Sequence, residues 1–231
     1  MLYQKYIKRF LDFFLSLCAL IVLSPVFLIL AILVRAKLGS PVLFKQVRPG
    51  KKDKNGNKTL FTLYKFRTMT DEQDSEGNLL PDEIRLTRFG QKLRDTSLDE
   101  LPELLNILKG DMSIIGPRPQ LVRDMVYMTP EQRRRHDIRP GLSGWAQING
   151  RNAIEWEDKL NYDLEYLDKI SFWMDAKIVL ITIKKVFKTE SISYEGMATA
   201  EDFGDYLLRT GKTSQAQYDV GQTEAKELLK L

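Results

Sequence analysis

The chain has 231 residues and a formal net charge of +4, with 35 basic and 31 acidic side chains, which suits one domain with or without an appendage. A single cysteine, Cys18, and a single histidine, His136, argue against a disulfide framework, a cysteine or multi-histidine metal site, and a Ser-His-Asp triad. Any chemistry must therefore use carboxylates, lysines, arginines or a bound metal ion, and the slight basic excess favours an anionic partner.

An uncharged run of roughly 22 residues, positions 13–34, is long enough to cross a bilayer. Ser24-Pro25 lies at its middle, and a proline there removes a backbone hydrogen bond and kinks a helix. Positive flanks mark the cytoplasmic side of a membrane segment. Because both flanks are basic, a re-entrant helix is favoured over a spanning helix, and a signal peptide is disfavoured by the absence of a cleavage site. The flanking residues are Lys5, Lys8 and Arg9 before the run, and Arg35 and Lys37 after it.

Asp12 stands where the polar head of this segment meets the apolar run. An acid at that place is costly unless it is paired, so Arg9, three residues earlier, is its expected partner. The alternative is that Asp12 lies unpaired in the headgroup layer.

The next stretch predicts a β-hairpin with strands near 42–47 and 59–65, because apolar and polar residues alternate on both sides of Asn55-Gly56. Residues 70–83 are acidic and turn-rich and predict a loop. A helix is expected over roughly 85–94.

Further helices are expected within 120–135, over 153–168 and over 171–188, whereas "IRPGLSGWAQINGRN" is predicted to be irregular. The helix over 171–188 mixes Phe172 and Trp173 with lysines, which suits a membrane interface or a core-facing helix with a basic rim. From position 189 the composition turns polar, with a terminal helix at "TEAKELLKL".

The most informative stretch is "SLDELPELLNILKGDMSIIGPRP", which begins at Ser97. Asp99 and Glu100 suit an ordinary helix start, and Ser97 with Glu100 matches a capping box. Pro102 favours a start at Asp99 instead, because the proline then falls in the first turn.

The surroundings suggest chemistry as well. Arg118 stands between two prolines, a restraint that suits a clamp on phosphate, and Arg85, Arg88 and Arg94 precede the acidic pair. Two carboxylates among arginines fit a Mg²⁺ ion bound together with substrate phosphates. A carboxylate can also attack phosphorus to form an acyl phosphate.

These motifs carry a family resemblance. "KRFLD" before an apolar run broken by Ser24-Pro25, then "YKFRTM", "SLDELPELLNILKGDMSIIGPRP" and "RPGLSGWAQINGRN", resemble in their order the bacterial monotopic phosphoglycosyl transferases over about residues 5–200. With the predicted elements, the resemblance implies an α+β, mostly helical fold with a small β-hairpin and amphipathic interfacial helices around a compact catalytic domain. It implies a re-entrant membrane-anchoring helix over 1–38, a catalytic domain over 39–203 and a tail over 204–231.

The resemblance also implies a reaction, in which a sugar 1-phosphate passes from a UDP-sugar to undecaprenyl phosphate and UMP is released. Asp99 would be the nucleophile at the Mg²⁺ site, with Glu100 as acid/base or second metal partner. Substrate contacts would fall on Lys65, Arg94, Arg118 and Arg151. In an alternative version Asp99 only binds the metal, and the lipid phosphate attacks directly.

The resemblance implies that the protein lies on the cytoplasmic face of the bacterial inner membrane. It also implies contact with membrane phospholipids and no binding of nucleic acid. "NAIEWE" and "EGMATAEDF" are similar to members that transfer N-acetylated amino sugars such as di-N-acetylbacillosamine. A different function, a tethered module that binds anionic lipid or nucleic acid through "RRRHDIR" without catalysis, is the alternative; no nucleic-acid motif accompanies it. The sequence leaves the sugar and the oligomeric state undecided.

Overall fold

Helices form most of the fold, as predicted, and two small sheets accompany them. The computed structural model describes residues 2–150, 154–187 and 201–230. The helices are α1 (Lys8–Val22), α2 (Ser24–Leu38), α3 (Asp82–Arg85), α4 (Arg88–Asp95), α5 (Glu103–Lys109), α6 (Val122–Met125), α7 (Trp145–Ile148), α8 (Trp156–Asp168), α9 (Phe172–Phe187), α10 (Phe203–Arg209) and α11 (Gln215–Leu228). The strands are β1 (Leu43–Pro49), β2 (Leu60–Phe66), β3 (Ser113–Ile115) and β4 (Gly141–Ser143). A π-helical turn, Tyr3–Ile7, and two 3₁₀ turns, Leu98–Glu100 and Gln132–Asp137, complete the regular structure.

The bend predicted at Ser24-Pro25 is confirmed. The helical segments Tyr3–Val22 and Ser24–Leu38 meet at an angle of 64°. Pro25 lies in the first turn of α2, where its missing N–H costs no helical hydrogen bond, and the Ser24 hydroxyl donates to the carbonyl of Ile21 at 2.8 Å. Among the residues that the structure describes, no single helix is long and apolar enough to cross a bilayer, whereas this bent pair is when taken together.

The first of these helices is bonded to the rest of the molecule by the two residues expected to pair with each other. Arg9 donates to the carbonyls of Ile107 and Leu108 at 2.6 and 2.9 Å, where the C-terminal turn of α5 favours a cation. Asp12 accepts the Ser113 hydroxyl at 2.7 Å and the Ile114 amide at 3.0 Å. The predicted Arg9–Asp12 pair is therefore wrong, since Arg9 binds two backbone carbonyls of α5, whereas Asp12 binds a hydroxyl and an amide at β3.

The β-hairpin is confirmed. Strands β1 and β2 pair antiparallel from Leu43 opposite Phe66 to Pro49 opposite Leu60. The Asp53 carboxylate accepts the backbone amides of Asn55 and Asn57 and so closes the connecting turn. The loop expected over 70–83 forms with one isolated bridge across its own turn, and it ends where α3 begins at Asp82.

Two expectations for the middle of the chain are wrong. The helix expected within 120–135 is only the single turn α6, followed after a break by the 3₁₀ turn Gln132–Asp137. The glycine-rich stretch expected to be irregular contains β4 and α7, because β4 pairs parallel with β3 and supplies a partner that local sequence does not reveal. Long-range backbone pairing therefore decides the glycine-rich segment.

Helices α8 and α9 match the ranges predicted for them. They pack on a core cluster that includes Ile115, Tyr166 and Ile178, each at most 2% exposed. On the outer side of α9, Trp173 is 79% exposed and Leu180 is 69% exposed. One face of α9 thus belongs to the core, and apolar side chains remain on the surface of the other.

The C-terminal hairpin, defined as α10 and α11, begins earlier than the terminal helix expected from sequence. It packs on the single-turn helix α6 and the Tyr127 ring that follows it. A Cβ atom at Gly204 would lie 2.5 Å from that ring, and one at Gly221 would lie 2.4 Å from it. Only glycine permits both helices to approach the ring this closely.

Candidate active site

Asp99 and Glu100 lie in a 3₁₀ turn that precedes α5. Ser97 has a left-handed backbone, with φ of 54°, and its side chain caps no helix amide. Helix α5 starts at Glu103 after Pro102. Neither the expected capping box nor the expected start at Asp99 forms, because Ser97 leaves the helical region and the chain makes a tighter turn before the proline.

Lys65 is at the centre of the site. Its ammonium lies 2.7 Å from Glu100 Oε1, 3.2 Å from Glu103 Oε1 and 4.0 Å from Asp99 Oδ2. Strand β2 carries this lysine to the turn that holds the acidic pair. Lys65 and the acidic pair, predicted from distant motifs, are therefore neighbours in space.

Glu103 is a site residue that the sequence prediction missed. It is 3% exposed and faces Lys65 beside Glu100. Its spacing of four residues from Asp99 and three from Glu100 was the available signal, because such residues share one side of a helical segment. The acidic pair is in fact part of a group of three carboxylates around one lysine.

Arg118 contacts the same group through Glu100. Its Nη2 atom donates to Glu100 Oε1 at 2.7 Å, and its side chain is 44% exposed. Glu100 thus holds two cations, Lys65 and Arg118, through a single oxygen. The Arg118 side chain is partly open to solvent, from which an anionic substrate can approach.

The three carboxylates differ in their affinity for protons. Burial raises the pKa of Asp99 to about 6, although Lys65 opposes the shift. Burial likewise raises the pKa of Glu103 to about 7 against the field of Lys65. Burial also disfavours the charge on Glu100, but Arg118 and Lys65 outweigh it and hold the pKa of that carboxyl well below its usual range. Glu100 is the permanent anion of the group.

Arg94 reaches the site from α4. Its Nε donates to the Thr68 hydroxyl at 3.0 Å, and its charge lowers the pKa of Asp99. The helix approaches the end of β2 closely, since a Cβ atom at Gly90 would lie 1.8 Å from the Thr68 carbonyl oxygen. Arg151, the fourth predicted substrate contact, lies outside the described residues.

The backbone that carries Arg118 is bonded at three successive carbonyls. The Pro117 carbonyl accepts the Gly141 amide at 2.9 Å. The Arg118 carbonyl accepts Arg135 Nη2 at 2.6 Å, and the Pro119 carbonyl accepts Arg48 Nη1 at 3.2 Å. Three distant segments therefore hold the clamp arginine in place, in addition to its two flanking prolines.

Asp99 and Glu100 offer carboxylate oxygens of the kind that Mg²⁺ binds together with substrate phosphates. Within the described ranges, no group of three or more His, Cys, Asp or Glu side chains is arranged to hold a metal ion. Asp99 has Lys65 no closer than 4.0 Å, and both cations on Glu100 contact Oε1 rather than Oε2. Mg²⁺ commonly takes one or two carboxylates and fills its shell with phosphate and water oxygens.

Comparison with known proteins identifies the family. The family model for bacterial sugar transferases matches residues 3–189. The chain belongs to the bacterial sugar transferase family. The match includes the bent helix pair, the hairpin and every candidate site residue, and it ends before the C-terminal hairpin.

Curated relatives of this sugar transferase fall into two sizes. An uncharacterized sugar transferase of Bacillus subtilis (EpsL) is 52% identical over 85% of this chain and 95% of its own length. The UDP-N-acetylgalactosamine-undecaprenyl-phosphate N-acetylgalactosaminephosphotransferase of Aeromonas hydrophila is 38% identical over 78% of this chain and 44% of that protein. The UDP-glucose:undecaprenyl-phosphate glucose-1-phosphate transferase of Klebsiella pneumoniae is 38% identical over 80% of this chain and 41% of that protein. The chain spans less than half of the two larger enzymes.

Proposed function

We propose that this sugar transferase moves a sugar 1-phosphate from a UDP-sugar to undecaprenyl phosphate and releases UMP, with Asp99 as the nucleophile. The observation that carries the proposal is the difference between neighbouring carboxylates: Glu100 is held by two cations, while Asp99 keeps a nearby lysine without a short bond to it. Two relatives act on undecaprenyl phosphate with UDP-linked sugars, according to their names.

The reaction proceeds in two displacements at the β-phosphorus of the donor. In the first, an Asp99 oxygen forms a bond to phosphorus, and the bond to the oxygen bridging the two phosphates breaks, so that UMP leaves with the electron pair. In the second, a phosphate oxygen of the lipid attacks the same phosphorus. The Asp99 bond breaks, the carboxylate is restored, and the lipid carries a diphosphate-linked sugar.

The cations of the site serve this chemistry by offsetting the repulsion between anions. Lys65 and Arg118 contact Glu100, and Arg94 lies near enough to Asp99 to lower its pKa. We assign them, with Arg151, to the phosphates of the donor and the lipid. Mg²⁺, held by Asp99 and Glu100, would neutralise charge on the diphosphate.

The bent helix pair is assigned to the membrane. Both flanks of the apolar run are basic, and the 64° bend allows both ends to stay on one face. We place the enzyme on the cytoplasmic face of the inner membrane as a re-entrant anchor with its catalytic domain among the phospholipid headgroups. Cysteine labelling from each side of sealed vesicles tests this. Labelling of Leu2→Cys and a cysteine in the catalytic domain from opposite sides would contradict the assignment.

Asp99→Asn tests the central claim. The variant should lose UMP release by at least about 1,000-fold and should trap no labelled phosphosugar on the protein, because the amide is not a nucleophile. Asp158→Asn, on the exposed first turn of α8, is the matched control and should keep full activity. Full turnover in the Asp99 variant would overturn the proposal.

The competing version gives Asp99 only a metal role, with direct attack by the lipid phosphate. Initial-rate kinetics separate the two, since a covalent intermediate gives parallel double-reciprocal lines and a ternary complex gives intersecting lines.

The sugar is proposed to be an N-acetylated amino sugar. A panel of UDP-sugars assayed for UMP release with Mg²⁺ and undecaprenyl phosphate tests that assignment.

A further inference from the structure

A buried ion pair lies behind the clamp arginine. Arg135 is 2% exposed and Asp163 is 3% exposed, and Arg135 contacts Asp163 Oδ2 through Nε at 2.9 Å and through Nη2 at 2.7 Å. Removing two charges from water costs several kcal/mol per ion, and the pair often recovers no more than that cost. Stability alone is therefore a weak reason for this pair.

The pair has a third partner. Arg135 Nη2 also donates to the backbone carbonyl of Arg118 at 2.6 Å. Asp163 lies on α8, and Arg135 lies on the 3₁₀ turn Gln132–Asp137. The guanidinium thus connects a helix of the core to one peptide group of the Arg118 backbone.

That peptide group belongs to the residue whose side chain enters the site. Arg118 contacts Glu100 at 2.7 Å through its own guanidinium, and its side chain is partly open to solvent. The carbonyl is restrained on the buried side, and the side chain extends toward the acidic group. Its backbone φ and ψ set the direction in which a side chain leaves the chain, so fixing the carbonyl restricts where the guanidinium can go.

We propose that Arg135 and Asp163 are positioning residues for Arg118: they fix its carbonyl so that its guanidinium is held ready for a substrate diphosphate before binding. This inference rests on the proposed function, in which Arg118 contacts donor phosphate. A planar guanidinium is suited to the task because it bonds a carboxylate and a carbonyl at the same time in fixed directions, which a lysine ammonium does not.

The chain contains a matched control one position away. Arg134 and Asp168 lie on the same 3₁₀ turn and the same helix α8, and they pair at 2.9 Å. Their side chains are 41% and 61% exposed, and Arg134 pairs with Glu131 as well as with Asp168. Arg134→Lys therefore reproduces the chemical change of Arg135→Lys without the contact to Arg118.

The test compares these two variants in the full-length enzyme in detergent. Calorimetry measures the affinity for UDP with Mg²⁺, and UMP release measures kcat and KM for the UDP-sugar. Arg135→Lys should weaken UDP binding and lower kcat/KM by about 10- to 100-fold, mostly through KM, because misplacement of a clamp by about 1 Å has effects of that size. Arg134→Lys should change neither by more than about twofold.

A second comparison separates positioning from general damage. In an Arg118→Ala background, Arg135→Lys should cause no further loss of UDP affinity, since there is no guanidinium left to position. Equal losses in both backgrounds would overturn the inference, as would wild-type affinity in Arg135→Lys. Asp163→Asn, which leaves Arg135 without its carboxylate, should show the same dependence on Arg118 and serves if the lysine variant melts below the assay temperature.

Different results would contradict the role of Arg135 and the proposed reaction. Wild-type enzyme that binds UDP but releases no UMP from any UDP-sugar contradicts the proposed reaction, while UDP affinity still decides the role of Arg135. Wild-type enzyme that binds no UDP contradicts both.

Discussion

Asp99 is an unusual aspartate because burial raises its pKa to about 6 while neighbouring cations hold it from rising further. Attack on phosphorus needs the ionised form, so kcat/KM for UMP release should fall about tenfold per pH unit below pH 6. Lys65 is the largest of the effects that lower this pKa. Lys65→Met should therefore move the acid limb of the pH profile upward as well as reduce activity. An acid limb that remains below pH 5 in wild-type enzyme would contradict the assignment.

His136 predicts a pH effect on stability. Burial and nearby Arg135 lower its pKa to about 3, so the folded protein keeps it neutral where the unfolded chain, with a pKa near 6.5, takes up a proton. The unfolded state then binds more protons, and stability contributed by this group is lost as pH falls from about 6.5 toward about 3, by about 1.4 kcal/mol per pH unit. Other buried acids change the total, so the comparison is with His136→Gln. The difference between the two free energies of unfolding should decline between pH 7 and pH 5, and parallel profiles would contradict the expectation.

The packing of α5 on β2, beside the site, depends on the side-chain amide of Asn106. Asn106, in the middle of α5, is fully buried; it donates to the Thr62 carbonyl at 2.7 Å and accepts the Tyr64 amide at 3.1 Å. These bonds fasten the helix after the acidic pair to the strand that carries Lys65. Asn106→Ala leaves both backbone groups unpaired in the interior and should cost about 2–6 kcal/mol of unfolding free energy.

The control for that variant is Asn78→Ala, in the exposed turn of the 70–83 loop. It should change the free energy of unfolding by no more than about 0.5 kcal/mol. Equal unfolding free energies for the two variants would show that Asn106 does not join α5 to β2 in the way described.

Sequence patterns predicted the elements unevenly, for physical reasons. The helices over 153–168 and 171–188 and the Asn55-Gly56 hairpin follow from local periodicity and turn chemistry. The segment 120–135 was predicted wrongly because the bonds that hold it come from distant residues. In the site, Lys65, Asp99, Glu100 and Arg118 meet as the motifs suggested. The burial of Arg135 was not predictable from sequence, because it depends on pairing with the distant Asp163. Arg134, the same residue type one position earlier, has an exposed side chain.

At the scale of the whole molecule, the C-terminal hairpin lies beyond the family match and packs on the segment that follows the clamp arginine. The Phe203 amide donates to the Asp124 carboxylate at 2.9 Å, and Asp202 pairs with Arg123 at 2.6 Å. The Tyr127 hydroxyl donates to the Tyr218 carbonyl at 2.6 Å. The hairpin thus braces α6 from two sides.

Gly221→Ala tests this packing. A methyl group would lie 2.4 Å from the Tyr127 ring, so the variant should lose about 1–3 kcal/mol of unfolding free energy despite the better helix propensity of alanine. Tyr127→Leu should reduce the additional loss by making room for the methyl group. Val220→Ala, at a 69% exposed position on the same helix, is the control and should be nearly neutral. A neutral Gly221→Ala would contradict the close contact.

The bonds from Arg9 and Asp12 to residues 107–114 have a consequence for distance. They join the polar end of the first helix to the last turn of α5 and to β3, so the helix after the acidic pair is bonded directly to the apolar segment. With the anchor in a bilayer as proposed, the apolar length beyond Asp12 sets the height of Asp99 above the lipid phosphates. Four residues inserted after Phe14 would lengthen that apolar segment by about 6 Å. The length of the segment then sets the distance between Asp99 and the lipid phosphates, so the variant should still bind UDP but fail to reach its lipid acceptor.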